Sequence, residues 1–335
     1  MIIQLKSNIT PADKERILGS IGEQGCKWRE VKTQVGDYLL VLGKINFDIR
    51  LIGNLRGIAD IHRVTDEYKL VSGKWKTHPT VIDLGDGITI GDGLTVMAGP
   101  CSIEGGEQIA DVAAILEQLN IKIMRGGVFK PRSSPYSYRG AGIDGLKLWH
   151  SICQPKGIRI ISEVMEMDQI EAMYPYVDIY QVGARNSQNF NLLDALGKID
   201  KPVMIKRGLS GTIDELLYSA EYVFSGGNEK IILCERGIRT YEKAYRNTFD
   251  INAIPLLKEK SHLPVIADPS HGTGIRRLVG PVALASVAAG ADGIIVEVGK
   301  VPEKASSDAQ QTIDFPELRQ LAARVRLLQE TLVSS

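Results

Sequence analysis

Cys101, His271, Glu297 and Asp308 are the residues of this chain whose types could do chemistry together. One sulfur, one imidazole and two carboxylates suit a borderline divalent cation such as Mn²⁺, Fe²⁺, Co²⁺ or Zn²⁺, and form too soft a set for Mg²⁺. Their spacing matches no local zinc motif, so only a shared architecture can bring them together. Cys101 follows the apolar run 94–98 and the breaker Gly99-Pro100, where the backbone leaves a buried strand. Alone, such a cysteine reads more readily as a small buried hydrophobe. His271, Glu297 and Asp308 follow the same geometry, which lowers the odds of that reading. A second set is cationic: Arg125, Lys130, Arg132, Arg185, Lys206 and Arg236, with Arg207 beside Lys206. Gathered at one place they would repel each other, so they call for a polyanionic substrate carrying more than one phosphate or carboxylate. Gly126-Gly127 and Ser133-Ser134 offer small or hydroxylic partners that let a phosphate come close.

The elements that must position these groups alternate from residue 94 onward. Apolar runs at 95–98, 122–125, 159–163, 179–182, 202–206, 230–234, 264–267 and 293–297 read as strands, with helical patterns between them. The segment 108–119 carries an apolar face, Thr212-Ile213-Asp214-Glu215 is a capping box, and 315–332 places Leu318, Leu321, Val325 and Leu328 at helical spacing. Eight strands each followed by a helix predict a (β/α)₈ TIM barrel over 94–335, and a length of roughly 250 residues is typical of that fold. A doubly wound open sheet is the runner-up, disfavoured because no G-x-G-x-x-G follows the first strand. In a barrel, Cys101, Arg125, Lys130, Glu163, Arg185, Lys206, Arg207, Glu235, Arg236, Asp268, His271 and Glu297 all fall at strand ends on one mouth. A single charged residue there would read as a solvated face; the whole series argues for a site.

Residues 1–66 read as a separate unit in the order β-α-β-β-α-β, the ferredoxin-like α+β pattern. Strands are predicted at 2–5, 27–31, 38–42 and 58–64, a helix opening at Thr10-Pro11 and a weak helix at 49–55. Asp60, His62 and Arg63 read as solvated strand positions. Residues 67–93 are a connector rich in turns, with a β-hairpin expected to cover one end of the barrel.

The chain has 335 residues and no net charge, which argues against a general nucleic-acid or membrane-surface binder. Four scattered cysteines without CxxC spacing suit reduced thiols, the N-terminus lacks a signal-peptide apolar stretch, and no apolar run is long enough to span a bilayer. A cytoplasmic protein is expected.

Six motifs then become specific: Ala98-Gly99-Pro100-Cys101-Ser102, Lys130-Pro131-Arg132-Ser133-Ser134-Pro135-Tyr136, Gly183-Ala184-Arg185, Ile205-Lys206-Arg207-Gly208, Glu235-Arg236-Gly237 and Asp268-Pro269-Ser270-His271. Together, over essentially the whole chain, they resemble 3-deoxy-D-arabino-heptulosonate 7-phosphate (DAHP) synthase, in the short type I form with an N-terminal ferredoxin-like regulatory domain. The resemblance implies a metal-dependent transferase that condenses phosphoenolpyruvate with erythrose 4-phosphate, releases phosphate and opens the shikimate pathway. It implies that Cys101, His271, Glu297 and Asp308 hold the divalent metal (Mn, Co, Fe or Zn). Arg125, Lys130, Glu163, Ala184, Arg185, Lys206 and Arg236 then bind phosphoenolpyruvate, and Arg132 with Ser133 grips the sugar phosphate. Lys130, with Cys101 and His271, is the expected catalytic group, as proton donor to the developing alkoxide, with a metal-bound water as the alternative donor. The N-terminal unit would sense an aromatic amino acid, for instance by resting over the barrel mouth and obstructing access, with an oligomerisation module as the alternative, and a homo-oligomer is expected, a tetramer favoured. Two positions depart from the family pattern: Gly299-Lys300 stands for the usual His-Pro, and Asp308-Ala309-Gln310-Gln311 for Asp-Gly-Gln-Gln.

Three rivals are open. The sister synthase that makes 3-deoxy-D-manno-octulosonate 8-phosphate shares the barrel, although Pro131 argues for the four-carbon sugar. Lys206 beside Arg207 could be a Schiff-base lysine of an aldolase, which leaves Cys101 and His271 without a role. A catalytically silent regulatory paralogue would not need the full ligand set.

Overall fold

The computed structural model describes residues 1–43, 47–130, 136 and 139–333. The N-terminal unit folds as β1 (Ile2–Leu5), α1 (Pro11–Glu23), β2 (Lys27–Lys32), β3 (Asp37–Leu42) and β4 (Ile58–His62). Its sheet order, β2-β3-β1-β4, is antiparallel throughout, as the ferredoxin-like pattern requires. Thr10 accepts the amide of Asp13 at 3.1 Å and caps α1, whose Ile17 and Ile21 bury against Ile3, Leu39 and Ile52. The helix predicted at 49–55 shrinks to one 3₁₀ turn at Ile49–Leu51. Gly53 stands two residues past its end, and glycine in a helix interior costs about 1 kcal/mol relative to alanine.

The other face of this sheet lies on the barrel wall. Tyr38 packs edge-on against Trp75 and Phe224, with ring centroids 5.4 and 6.4 Å apart. Its hydroxyl donates to Glu229 Oε1 at 3.1 Å, and Thr33 donates to the same oxygen. Glu229 stands just before a barrel strand begins, at the end opposite the mouth. The expectation of a unit resting over the mouth of its own barrel is therefore corrected: the apolar face of the sheet finds its partner in Phe224, at the other end.

The barrel strands are β7 (Thr95–Gly99), β8 (Ile123–Gly126), β9 (Arg159–Val164), β10 (Ile179–Val182), β11 (Val203–Lys206), β12 (Ile231–Glu235), β13 (Val265–Ala267) and β14 (Gly293–Glu297). They are preceded by the short pair β5 (Ile82–Asp83) and β6 (Thr89–Ile90). Among the described residues the eight are parallel and closed, β14 pairing with β7. The wall helices are α2 (Gly106–Gln118), α3 (Gly142–Cys153), α4 (Met167–Met173), α5 (Phe190–Leu196), α6 (Ile213–Ser225), α7 (Ala253–Lys260), α8 (Pro269–Thr273), α9 (Arg276–Ala288) and α10 (Phe315–Val333). Inward-facing Met97, Ile123, Ile161, Ile179, Met204, Ile232, Ile266 and Ile295 fill the interior, and Ile82 and Ile90 of the β5–β6 hairpin close it from below. Outside that plug only the upper rim is left for polar groups. No helix among the described residues is long and apolar enough to cross a membrane.

His262, ahead of β13, ties the connector to the barrel. Its Nε2 meets the Leu70 carbonyl at 2.8 Å and its Nδ1 the Thr80 hydroxyl at 2.7 Å. Burial lowers this imidazole from 6.5 to about 4. The unfolded chain takes up the proton first, so stability is full above about pH 6.5 and is lost as the pH falls towards 4. Between about pH 7 and about pH 4.5 the expected loss is about 2 kcal/mol. Denaturant titration of wild type and His262→Gln at both pH values isolates it: the variant should lose less by that amount, and equal losses would assign the acid sensitivity to other groups.

Candidate active site

β7 ends at Gly99, and Cys101 follows at the rim, buried. Glu297 is the last residue of β14, its amide donating to Ser270 Oγ at 3.0 Å. His271 lies one step beyond its strand, in α8, which Asp268 caps by accepting the His271 amide at 3.0 Å. Asp308 is not at a strand end. It sits in the turn between β14 and α10 with φ +55°, in the left-handed region that aspartate and asparagine enter more readily than other L residues. Ala309, where the family usually has glycine, keeps a negative φ, so the turn does not need that glycine.

The four side chains converge. Ligand atoms of Cys101, Glu297 and Asp308 lie within 4.8 Å of one another. His271 Nε2 is 3.3 Å from Glu297 Oε1 and 3.9 Å from Asp308 Oδ2, and Cys101 Sγ is 3.1 Å from that same oxygen. His271 Nδ1–H donates to Asp268 Oδ2 at 2.8 Å, which turns the Nε2 lone pair towards the two acids. Burial, with the Glu297 carboxylate beside it, pushes the Cys101 thiol up to about 12. Burial also opposes ionisation of Asp308, yet the facing His271 and Arg246 hold it down at about 2. A soft sulfur, an imidazole lone pair and two anionic oxygens aimed at one point fit a borderline divalent cation.

The cations surround this cluster. A cavity of about 210 Å³ is lined by Arg125, Lys130, Glu163, Ala184, Arg185, Lys206, Arg236, Arg239, Arg246, His271 and Asp308. Arg125 Nη1 donates to Glu297 Oε1 at 3.0 Å and to the Pro100 carbonyl at 2.7 Å. Lys130 Nζ reaches Cys101 O at 2.9 Å and Cys101 Sγ at 3.1 Å. Lys206 Nζ donates to Asp268 Oδ2 at 2.6 Å. Glu163 fits because residue 183 is glycine: a Cβ there would stand 1.9 Å from Glu163 Oε1. Arg185, Arg236 and Arg239 have no carboxylate partner among the described residues. Arg236 is nevertheless 3 % exposed, and burial lowers its pKa. Asp268 offsets part of that cost from a distance, and a buried guanidinium without a directly bonded carboxylate is stabilised further when an anion joins it.

Arg132 and Ser133 lie outside the described residues. Arg207 and Glu235 do not face the cavity; they pair with each other at 2.9 Å, and Arg207 also holds Asp250. Their strand ends brace the following loop instead. Lys300 reaches across to Asp111 on α2 at 3.0 Å, away from the cluster. Sequence reading passed over Arg239, Arg246 and Gln311. The first two ride the long irregular segment between β12 and α7, and a loop of that length on a barrel mouth was itself a signal. Gln311 had none.

The sequence signature of the DAHP synthetase I family matches residues 78–333. A phospho-2-dehydro-3-deoxyheptonate aldolase of Thermotoga maritima is 43% identical over 334 residues, 99% of this chain and 98% of that protein. A crystal structure of the Thermotoga maritima phospho-2-dehydro-3-deoxyheptonate aldolase (DAHP synthase) matches with a TM-score of 0.79 at 43% identity, covering 99% of this chain and 97% of that one. A 2-dehydro-3-deoxyphosphooctonate aldolase of Magnetococcus marinus is 30% identical over 261 residues, 71% of this chain and 90% of that protein. With the closed barrel and the converging mouth residues already in place, these likenesses settle the assignment: the chain belongs to the DAHP synthetase I family.

Proposed function

We propose that the mouth condenses phosphoenolpyruvate with erythrose 4-phosphate and water to give 3-deoxy-D-arabino-heptulosonate 7-phosphate and phosphate, the first step of the shikimate pathway. The observation that carries this reading is the set of guanidiniums of Arg185, Arg236 and Arg239, without a carboxylate partner among the described residues, facing the Cys101/His271/Glu297/Asp308 cluster across one cavity. Two anionic substrates repel each other, and fixed cations offset that repulsion while orienting them. A divalent metal held by Cys101, His271, Glu297 and Asp308 would supply Lewis acidity for the aldehyde. Arg185, Arg236 and Lys206, with Arg125, Glu163 and Ala184 beside them, hold the enol phosphate so that its C3 faces the aldehyde carbon. As the C3–carbon bond forms, positive charge appears at C2 and an alkoxide at the aldehyde oxygen. Lys130 Nζ, already a donor at the rim, gives that oxygen a proton. Water captures C2 and its released proton restores the Lys130 ammonium; the resulting hemiketal phosphate then breaks its C2–O bond to phosphate, the C2 hydroxyl proton leaving with the phosphate as the ketone forms. Arg132 and Ser133 grip the sugar phosphate. Lys206 is held as an ion pair with Asp268, which weighs against a free Schiff-base amine.

Residues 1–66 are assigned control by an aromatic amino acid, within a homo-oligomer for which a tetramer is favoured, and the enzyme a cytoplasmic setting. Tyr38 grips Glu229 ahead of β12, and β12 ends immediately before Arg236. A shift of the domain thus has a short path to an anion-binding group, and an effector that prefers one placement moves the population towards it.

One phosphate-release assay tests these points. Turnover is expected with erythrose 4-phosphate and not with arabinose 5-phosphate, lost on chelation and restored by Mn²⁺ or Co²⁺. Deleting residues 1–66 should keep turnover and remove inhibition by aromatic amino acids. Preference for the five-carbon sugar would assign the chain to the sister synthase, and full turnover by metal-free protein would remove the metal.

A further inference from the structure

The segment between β12 and α7 belongs to no named helix or strand, yet it bonds two of the four clustered residues directly, Asp308 and His271, and reaches a third, Glu297, through Gln311. Arg246 Nη1 donates to Asp308 Oδ1 at 3.1 Å and to Gln311 Oε1 at 2.9 Å. Gln311 is fully buried and passes its own Nε2 to Glu297 Oε2 at 2.7 Å. The outer oxygens of both carboxylates are thereby occupied. Their inner oxygens, Glu297 Oε1 and Asp308 Oδ2, are the ones that face His271 Nε2. Asn247, next in the chain, donates to the His271 carbonyl at 2.8 Å.

We propose that Arg246, acting through Gln311, is a positioning residue that fixes the Glu297 and Asp308 carboxylates for the divalent cation; this rests on the metal reading above. Three observations support the assignment. Asp308 holds a left-handed φ of +55°, and the Arg246 contact is the ion pair that anchors its side chain on the side away from Cys101. The loop has a built seat: the Arg246 amide donates to Thr273 O at 2.9 Å, and Gly274, at φ +69°, leaves room that a Cβ would fill 2.4 Å from Arg246 Cβ. Finally, Arg246 differs from the cavity's other arginines. Arg185, Arg236 and Arg239 have no carboxylate partner among the described residues, whereas Arg246 spends its Nη1 on Asp308 and Gln311. A group committed to the protein in this way orients ligands; it is a poor candidate for the grip on a substrate anion.

The test is Co²⁺ affinity of chelator-stripped, full-length protein by equilibrium dialysis with neither substrate present. Arg246→Ala should bind on the order of 10- to 100-fold more weakly, the usual cost of losing an outer partner of a metal ligand. Arg246→Lys, which keeps the charge without the fork, should fall between it and wild type. Gln311→Met removes both amide bonds at a residue that does not line the cavity and should weaken Co²⁺ to a similar degree; if Arg246→Ala does not fold, this variant carries the decision. At saturating Co²⁺ the KM for the sugar phosphate should stay within about twofold of wild type in each variant. Wild-type Co²⁺ affinity in Arg246→Ala, with a raised KM for the sugar phosphate, would overturn the proposal and make the residue part of the substrate grip. Absence of Co²⁺ binding by the wild-type chain would instead remove the metal reading itself, and the proposal with it.

Discussion

Cys101→Ala is expected to lower phosphate release by on the order of 10³-fold while the fold survives. The thiol is the soft member of the set, and alanine offers a divalent cation nothing in its place. Lewis acidity contributes several kcal/mol to such reactions, and each 1.36 kcal/mol is about tenfold in rate. The structural cost is small. Cys101 is buried at the rim, only one sulfur is removed, and Lys130 Nζ keeps its bond to the Cys101 carbonyl at 2.9 Å. A stability loss of about 1 kcal/mol is expected for so small a truncation. Cys101→Ser separates polarity from softness: it keeps a hydroxyl near Asp308 and should still lose most activity. Phosphate release and denaturant unfolding measured on the same preparations read both quantities. Near wild-type turnover in either variant would return Cys101 to the role of a small buried hydrophobe.

The barrel was legible because its eight apolar runs alternate with amphipathic segments, and a strand's end fixes where the next polar residue emerges. Cys101, Arg125, Glu163, Lys206 and Glu297 follow from that rule alone. The rule fails where the chain leaves regular structure. Asp308 reaches the cluster from an irregular turn, with a backbone angle that no periodicity encodes. Arg246 and Gln311 act through bonds to other side chains, and a sequence does not display which two oxygens of a carboxylate are already taken. Arg207 and Glu235 show the opposite error. They stand at strand ends, yet they satisfy each other inside the wall, because two opposite charges on neighbouring strands pair before either can face a ligand. The seat of the N-terminal unit was also hidden. Its sheet has two apolar faces, and only the packing of Tyr38 against Phe224 and Trp75 shows which part of the barrel covers the second.

Asp268→Ala is expected to be the most damaging single substitution in the mouth, in stability as well as rate. Asp268 is 1 % exposed and serves three partners: Lys206 Nζ at 2.6 Å, His271 Nδ1 at 2.8 Å and the His271 amide at 3.0 Å. Although burial opposes its charge, His271 and Lys206 hold this carboxyl well below the usual carboxylate range. Its contribution is therefore fully present above about pH 4 and is lost only as the pH falls through the lowered folded value. Alanine leaves the Lys206 ammonium buried without a counter-charge, and breaking a buried pair from one side costs about 3–5 kcal/mol. Loss of the cap on α8 adds about 1 kcal/mol. Asp268→Asn divides these effects. Its Oδ1 still caps the helix, so the fold is expected to survive, but its amide faces two donors. His271 Nδ1 can then only accept, which moves the imidazole proton to Nε2 and removes the lone pair that points at Glu297 and Asp308. Where a carboxylate sets the tautomer of a working histidine, the corresponding amide has cost about 10⁴ in rate in a serine protease, and a loss on the order of 10³–10⁴ is expected here. Denaturant unfolding should rank wild type above Asp268→Asn above Asp268→Ala, while phosphate release should place both variants near the floor. Turnover of Asp268→Asn within tenfold of wild type would show that Asp268 does not set the His271 tautomer, and would reduce its role to pairing Lys206.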